Sequence, residues 1–144
     1  MPNLNDIMEM MDALETKAII TIPTFCVAVR NRHSSCRKCV DACLADAITI
    51  EKNELNIDAG ACVACGACVA VCPTSALVPM DPMPDDLAGA VAETTNAADG
   101  LTVIACARIA SKGLADPHKF AEVPCLARVD ESLLLGLAAV GAKD

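Results

Sequence analysis

The stretch CVACGACVAVCP, residues 62–73, decides how this chain is read. Cys62, Cys65, Cys68 and Cys72 stand at C-x2-C-x2-C-x3-C spacing, and Pro73 follows at once. Twenty-nine residues earlier the pattern returns incompletely in RHSSCRKCVDACL, residues 32–44. Cys36, Cys39 and Cys43 align with Cys65, Cys68 and Cys72, and Ala47 and Ile48 align with Ala76 and Leu77. His33 occupies the place of the first cysteine. Three thiolates at intervals of three wrap a tight loop around one compact centre. The fourth, a turn later, points away. Gly66 and the small alanines around it let backbone N–H groups approach the sulfurs, and Pro73 suits the first position of a short helix.

The chain has 144 residues, ten of them cysteine. No positively charged start precedes an apolar run, so no secretory signal is expected. In a reducing compartment, ten cysteines point to metal ligation rather than a disulfide framework. Zinc sites use two separated cysteine knuckles. Four cysteines packed into residues 62–72 suit an iron–sulfur cluster better.

With the incomplete repeat included, residues ~24–80 resemble a bacterial-type ferredoxin with two [4Fe–4S] clusters. In that family the fourth cysteine of each run ligates the other cluster. The resemblance implies that Cys62, Cys65 and Cys68 hold one cluster with Cys43. It implies that Cys36, Cys39 and Cys72 hold the other, which then lacks a ligand. The chain departs from the family at His33, at Ser34 and Ser35, and at Leu44, where a proline usually follows the fourth cysteine.

Two residues are available to complete the deficient cluster. Cys26 lies ten residues before Cys36, and the insertion VAVRNRHSS is long enough to fold back. His33 has the spacing of the missing cysteine, and imidazole binds iron in Rieske centres. Thiolate is the usual ligand of a [4Fe–4S] iron, which favours Cys26. CVAVRNRHSSCRKC is also similar to the opening of some dicluster ferredoxin-like proteins with a distant first cysteine. A three-iron or absent cluster is the third alternative. The corresponding bland readings are a buried strand cysteine for Cys26 and a surface loop residue for His33.

The expected fold class is α+β: a ferredoxin-like dicluster domain with short strands and helices, then a small α/β unit with parallel strands. Residues 1–23 read as an amphipathic helix and a strand. AIITIPTFCVAVR is β-rich and interrupted by Pro23. ITIEKNELNID reads as a hairpin turning at Lys52–Asn53. Residues 81–100 read as a Pro-rich acidic linker and a helix stopped by Gly100. Residues 101–144 read as strand LTVIAC, a short helix or loop, strand FAEVPC and helix DESLLLGLAAVGA.

Cys106 and Cys125 end the two strand segments, where α/β sheets place functional groups. VPCLARVDESLLLGLAAVGAKD is similar to the iron–sulfur (delta) subunit family of methyl-viologen-reducing hydrogenases. That resemblance implies electron transfer to a larger oxidoreductase. ARI follows Cys106 where that family has a second cysteine, so Cys106 and Cys125 read as buried thiols, a reversible disulfide, or ligands shared with another chain. His118, next to Pro117, reads as an exposed loop residue.

The net charge of −8 is uneven. Residues 26–43 carry +3 from Arg30, Arg32, Arg37 and Lys38 against Asp41, while residues 44–100 carry −8. An acidic chain with so small a basic island is a poor nucleic-acid binder. No apolar run is long enough for a membrane span. No nucleophile, base and orienting group form a set, so no catalytic residue is expected. The sequence therefore predicts a cytoplasmic electron carrier with two [4Fe–4S] clusters, serving a redox partner protein or oxidoreductase complex. The alternative is an accessory or redox-sensing protein for metalloenzyme maturation.

Overall fold

The computed structural model describes residues 18–114 and 116–139. The expected N-terminal amphipathic helix lies outside the described residues. The elements that follow are short, and they gather around two separate cores.

The first core belongs to the cysteine repeat. Strand β1 (Ile19–Thr21) pairs antiparallel with β4 (Leu77–Pro79), so the beginning and end of the repeat region meet. Between them lie one-turn helices α1 (Val27–Arg30), α2 (Lys38–Asp41) and α3 (Ala67–Ala70). A hairpin of β2 (Ile48–Glu51) and β3 (Glu54–Ile57) separates the two cysteine runs. Lys52 and Asn53 both take positive φ, 51° and 62°, as a two-residue hairpin turn of matching twist requires. Ile19, Ile48, Leu55, Ala76 and Leu77 are buried together with Cys26, Cys39 and Cys68. Thiols thus replace the aromatic side chains that a core of this size would normally use.

The β-rich reading of AIITIPTFCVAVR is corrected: it holds only for Ile19–Thr21, and VAVR is the helical turn α1. Pro23 is exposed, and its carbonyl accepts the Cys26 N–H at 3.1 Å. Cys26 then caps α1, and its own carbonyl accepts from the Arg30 N–H at 3.0 Å. Pro23 cannot continue a ladder, so the chain turns, and local turn bonds override the β preference of valine.

The second core forms where the sequence reads as a linker followed by an α/β unit. Helix α4 (Pro84–Ala97) starts with proline in its first turn, with Asp85 and Asp86 beside it. Gly100, at φ 92°, follows its end. Strands β5 (Ile104–Cys106) and β6 (Ala121–Val123) pair in parallel. A one-turn helix α5 (Ala107–Ala110) lies between them, and α6 (Glu131–Ala139) closes the described chain. The Asp130 carboxylate accepts the Leu133 N–H at 2.8 Å and so caps α6. Leu87, Val91, Ala121 and Val123 are buried together, with Ile104, Leu133 and Leu137 against them. Helix α4 is therefore part of this second core.

Both strands are shorter than the sequence suggests. Cys106 does end β5, but Cys125 lies two residues beyond β6, where it caps a turn of 3-10 helix at Leu126–Arg128. That turn packs against α3 and joins the two cores.

Candidate iron–sulfur centres

The structure brings Cys26 to the first cysteine run through a chain of backbone contacts. Pairing of β1 with β4 continues one residue further, where the Ile22 N–H donates to the Ala76 carbonyl at 2.8 Å. The Ala76 N–H donates in turn to the Cys72 Sγ at 3.3 Å. Cys26 stands four residues after Ile22, and Cys72 four residues before Ala76, so both thiols come to the same end of the sheet. Cys26, Cys36, Cys39 and Cys72 line one cavity, closed by Val27, Ile50, Leu55 and Leu77. Cys26 is only 7% exposed.

His33 does not line that cavity. It is exposed on the outer side of the loop, where its Nε2 accepts from the Arg32 Nε at 3.3 Å and its backbone N–H donates to the Asn31 Oδ1. Ser34 serves the backbone: its hydroxyl accepts the Cys36 N–H at 3.3 Å. The insertion thus folds into local turns that hold the histidine out and the cysteine in.

The second group is built by the hairpin and the second cysteine run. The Asp58 N–H donates to the Ala47 carbonyl, and the Asp58 carbonyl accepts the Cys62 N–H. This ties the start of the second run to the residue four after Cys43. Ala64, at φ 56°, and Gly66, at φ 76°, turn the loop in on itself. Burial, together with the neighbouring Cys65, Cys62, Cys39 and Cys43 thiols, pushes the Cys68 thiol up to about 11. Burial likewise raises Cys39, with Cys26 and Cys72 adding to it. Cys39 thus has Cys26 and Cys72 beside it, and Cys68 has Cys65, Cys62, Cys39 and Cys43, so the two groups of thiols lie against each other.

Cys72 behaves differently. Burial alone would raise it, but the N–H groups of Thr74, Ala76 and Leu77 and the Thr74 hydroxyl outweigh that effect and lower its pKa. The equivalent contact in the first run is the Ala47 N–H donating to the Cys43 Sγ at 3.4 Å. N–H groups aimed at sulfur favour thiolate over thiol, which is the form that binds iron. Among the described residues no three His, Cys, Asp or Glu side chains converge on a point suited to one metal ion. Four of the thiols, Cys26, Cys36, Cys39 and Cys72, instead line one cavity, an arrangement that suits a multi-iron centre. All ten cysteines are free.

The comparisons with known proteins fall on this region. Residues 34–76 match the 4Fe-4S dicluster domain. The cofactors of this iron–sulfur segment are two [4Fe–4S] clusters. Ferredoxin 7Fe of Hydrogenibacillus schlegelii is 42% identical over 48 residues, 33% of this chain and 62% of that protein. A subunit of the ion-translocating oxidoreductase complex of Methanosarcina acetivorans is 48% identical over 42 residues, 29% of this chain and 16% of that protein. The chain thus spans 62% and 16% of the lengths of these two relatives. No solved structure matches the chain significantly. The matched segment begins at residue 34, after both Cys26 and His33.

Sequence reasoning missed one residue of the site, Arg128. Its side chain is buried, 7% exposed, and lies over Gly66, between Cys65 and Cys68. A Cβ on Gly66 would stand 2.8 Å from the Arg128 Cβ. Nothing in LARVDE distinguishes this arginine from a surface one, because its burial depends on how the two cores meet. Cys106 and Cys125 are half-buried and join neither group of thiols. Among the described residues no helix is long and apolar enough to cross a membrane.

Proposed function

We propose that this chain is a ferredoxin-type electron carrier serving a larger oxidoreductase, with Cys26, Cys36, Cys39 and Cys72 holding one cluster and Cys62, Cys65, Cys68 and Cys43 the other. When bound, such clusters take up and release single electrons. The protein's part is to bury the thiolates, direct N–H groups at their sulfurs and set the charge around them. The observation that carries the reading is the convergence of Cys26 with Cys36, Cys39 and Cys72 on one cavity while His33 faces outward. It supplies the thiolate that the first run lacks. Because each run lends its last cysteine to the other group, the two centres are held close, as a short electron path requires.

The partner docks on the basic island. Arg30, Arg37, Lys38 and Asp41 line an open recess on the surface, together with His33 and Cys36. Arg37 reaches Asp41 at 4.0 Å, both exposed, so the recess keeps a positive balance in an otherwise acidic chain. An acidic surface on the partner would be steered there, next to a cluster ligand. The second core, packed against the cluster-binding one through Leu126–Arg128, fixes the carrier on its complex. The chain works in the cytoplasm and catalyses no reaction alone.

Anaerobic iron and sulfide analysis with potentiometric titration tests the reading. About eight irons and eight sulfides per chain and two reversible one-electron waves are expected, by the stoichiometry of two cubanes. Zinc in place of iron, or one cluster lost irreversibly on oxidation, would favour a structural or sensing role instead.

A further inference from the structure

Arg128 is the one buried side-chain cation without a partner among the described residues. Its Nη1 is fully enclosed and makes no hydrogen bond. Burying an unpaired charge is costly, so such a group in a native fold marks a missing partner. Asp81 is the carboxylate that most influences it, yet Asp81 is exposed and forms no ion pair with it among the described residues. Burial depresses the Arg128 pKa, but a guanidinium stays charged at any working pH.

The place of Arg128 is set by Gly66. The arginine's Cβ, Cγ and Cδ lie 2.8, 3.0 and 3.3 Å from where a Gly66 Cβ would be. Gly66 immediately follows Cys65 and precedes Cys68 by two residues. Its equivalent in the first run, 29 residues earlier, is Arg37. Both cysteine loops therefore carry an arginine at the same point. In the first run it belongs to the loop itself, is exposed and is shared with Asp41. In the second run the loop has glycine, and the arginine comes from the other core and is buried.

We propose that Arg128 is the built-in counter-charge of the centre held by Cys62, Cys65, Cys68 and Cys43, and that it raises this centre's reduction potential above that of the other. The inference rests on the ligand assignment given above. Reduction adds one electron, hence one negative charge, to a site already surrounded by thiolates. A fixed cation at that loop favours the reduced form. Arg128, with its Nη1 enclosed, is screened less than Arg37, which solvent and Asp41 surround. Electrons entering beside the basic recess then run downhill to the centre next to Arg128. The second core does more than dock the carrier: it sets the direction of flow.

The test is a potentiometric titration of the whole, cluster-loaded chain. In each titration one electron enters a centre from the reductant, and no covalent bond changes. Each wave is assigned to its cysteines by their hyperfine-shifted β-proton resonances. Arg128→Gln keeps a hydrogen-bonding head and removes the charge, and Arg128→Lys keeps the charge. In the Gln variant the wave assigned to Cys62, Cys65 and Cys68 should fall by at least a tenfold change in the reduced-to-oxidised ratio, about 59 mV for one electron. The other wave should hold, and Lys should restore most of the loss. Unmoved potentials in Arg128→Gln, or equal shifts of both waves, overturn the inference and leave the ligand assignment standing. If the Gln variant does not retain both clusters, Arg128→Lys decides alone: it supports the inference by keeping the wild-type order of potentials and overturns it by losing that order. Wild-type resonances that pair Cys62, Cys65 and Cys68 with any fourth ligand other than Cys43 overturn the assignment itself.

Discussion

The backbone N–H of Ala76 points at the Cys72 sulfur from 3.3 Å, and 29 residues earlier the N–H of Ala47 does the same to Cys43 at 3.4 Å. Asp46 and Ser75, just before the two donors, both take left-handed backbone, at φ 50° and 51°. The internal repeat is thus a repeat of sulfur environments as well as of cysteine spacing. These two cysteines are the ones that the resemblance assigns across the runs.

The ligand assignment predicts unequal effects at Cys26 and His33. Cys26→Ser should lower iron content from about eight to about seven or four per chain, by converting or losing one cubane. His33→Ala should leave both clusters intact, because His33 is exposed and outside the thiol-lined cavity. Iron analysis and electron paramagnetic resonance read both. The reverse pattern would make His33 the ligand.

Thiol reactivity in the cluster-free protein should follow the local fields. Cys68, pushed up to about 11 by burial and neighbouring thiols, is almost wholly protonated at pH 8. Cys72 is lowered, so it carries more thiolate there. Timed alkylation at pH 8 with mass mapping should mark Cys72 before Cys39 and Cys68, since thiolate is the reactive form. A raised thiol pKa means the folded apo protein holds its proton more tightly than the unfolded chain does. That stabilising contribution from Cys68 is present below the unfolded value near 9 and is lost as pH rises towards 11. Apo stability measured by urea titration should therefore fall between those values.

Charge reversal in the basic recess should slow electron exchange with an acidic partner. Arg30 and Lys38 both line it and are exposed. Lys38→Glu with Arg30→Glu should reduce the second-order rate by about tenfold or more at low salt, and the difference should shrink as ionic strength rises. Stopped-flow absorbance with an acidic redox protein checks this. A salt-independent rate would move the docking face elsewhere.

The two cores should also lose structure separately. Chelation under oxidising conditions removes the metal and modifies the thiols that the reduced cluster-free core packs in its interior, so residues ~24–80 should become protease-sensitive first. The second core rests on Leu87, Val91, Ala121 and Val123, with Val123 fully buried. Leu87→Ala should destabilise it by about 2–5 kcal/mol, the usual cost of emptying a buried leucine site. Urea unfolding should show that loss in the transition of residues 84–139 while both cluster spectra persist at low denaturant.

The sequence alone carried the cluster chemistry, because a ligand run encodes its geometry in local spacing: Cys62, Cys65, Cys68 and Cys72 lie within one loop and one helical turn. It carried the Lys52–Asn53 hairpin for the same reason, since alternation and a turn dipeptide act between neighbours. The approach of Cys26 to Cys72 is another matter. It depends on β1 meeting β4 across more than fifty residues, and valines that favour strand were turned into α1 by Pro23 and local bonds. Arg128 was wholly beyond the sequence, because an arginine becomes buried or exposed only when the surface it faces is known. Gly66 left room for it, and the contact between the two cores placed it there. Spacing within a segment is fixed by covalent geometry, whereas a charge brought from another core is fixed by packing between segments, and only the folded chain decides that.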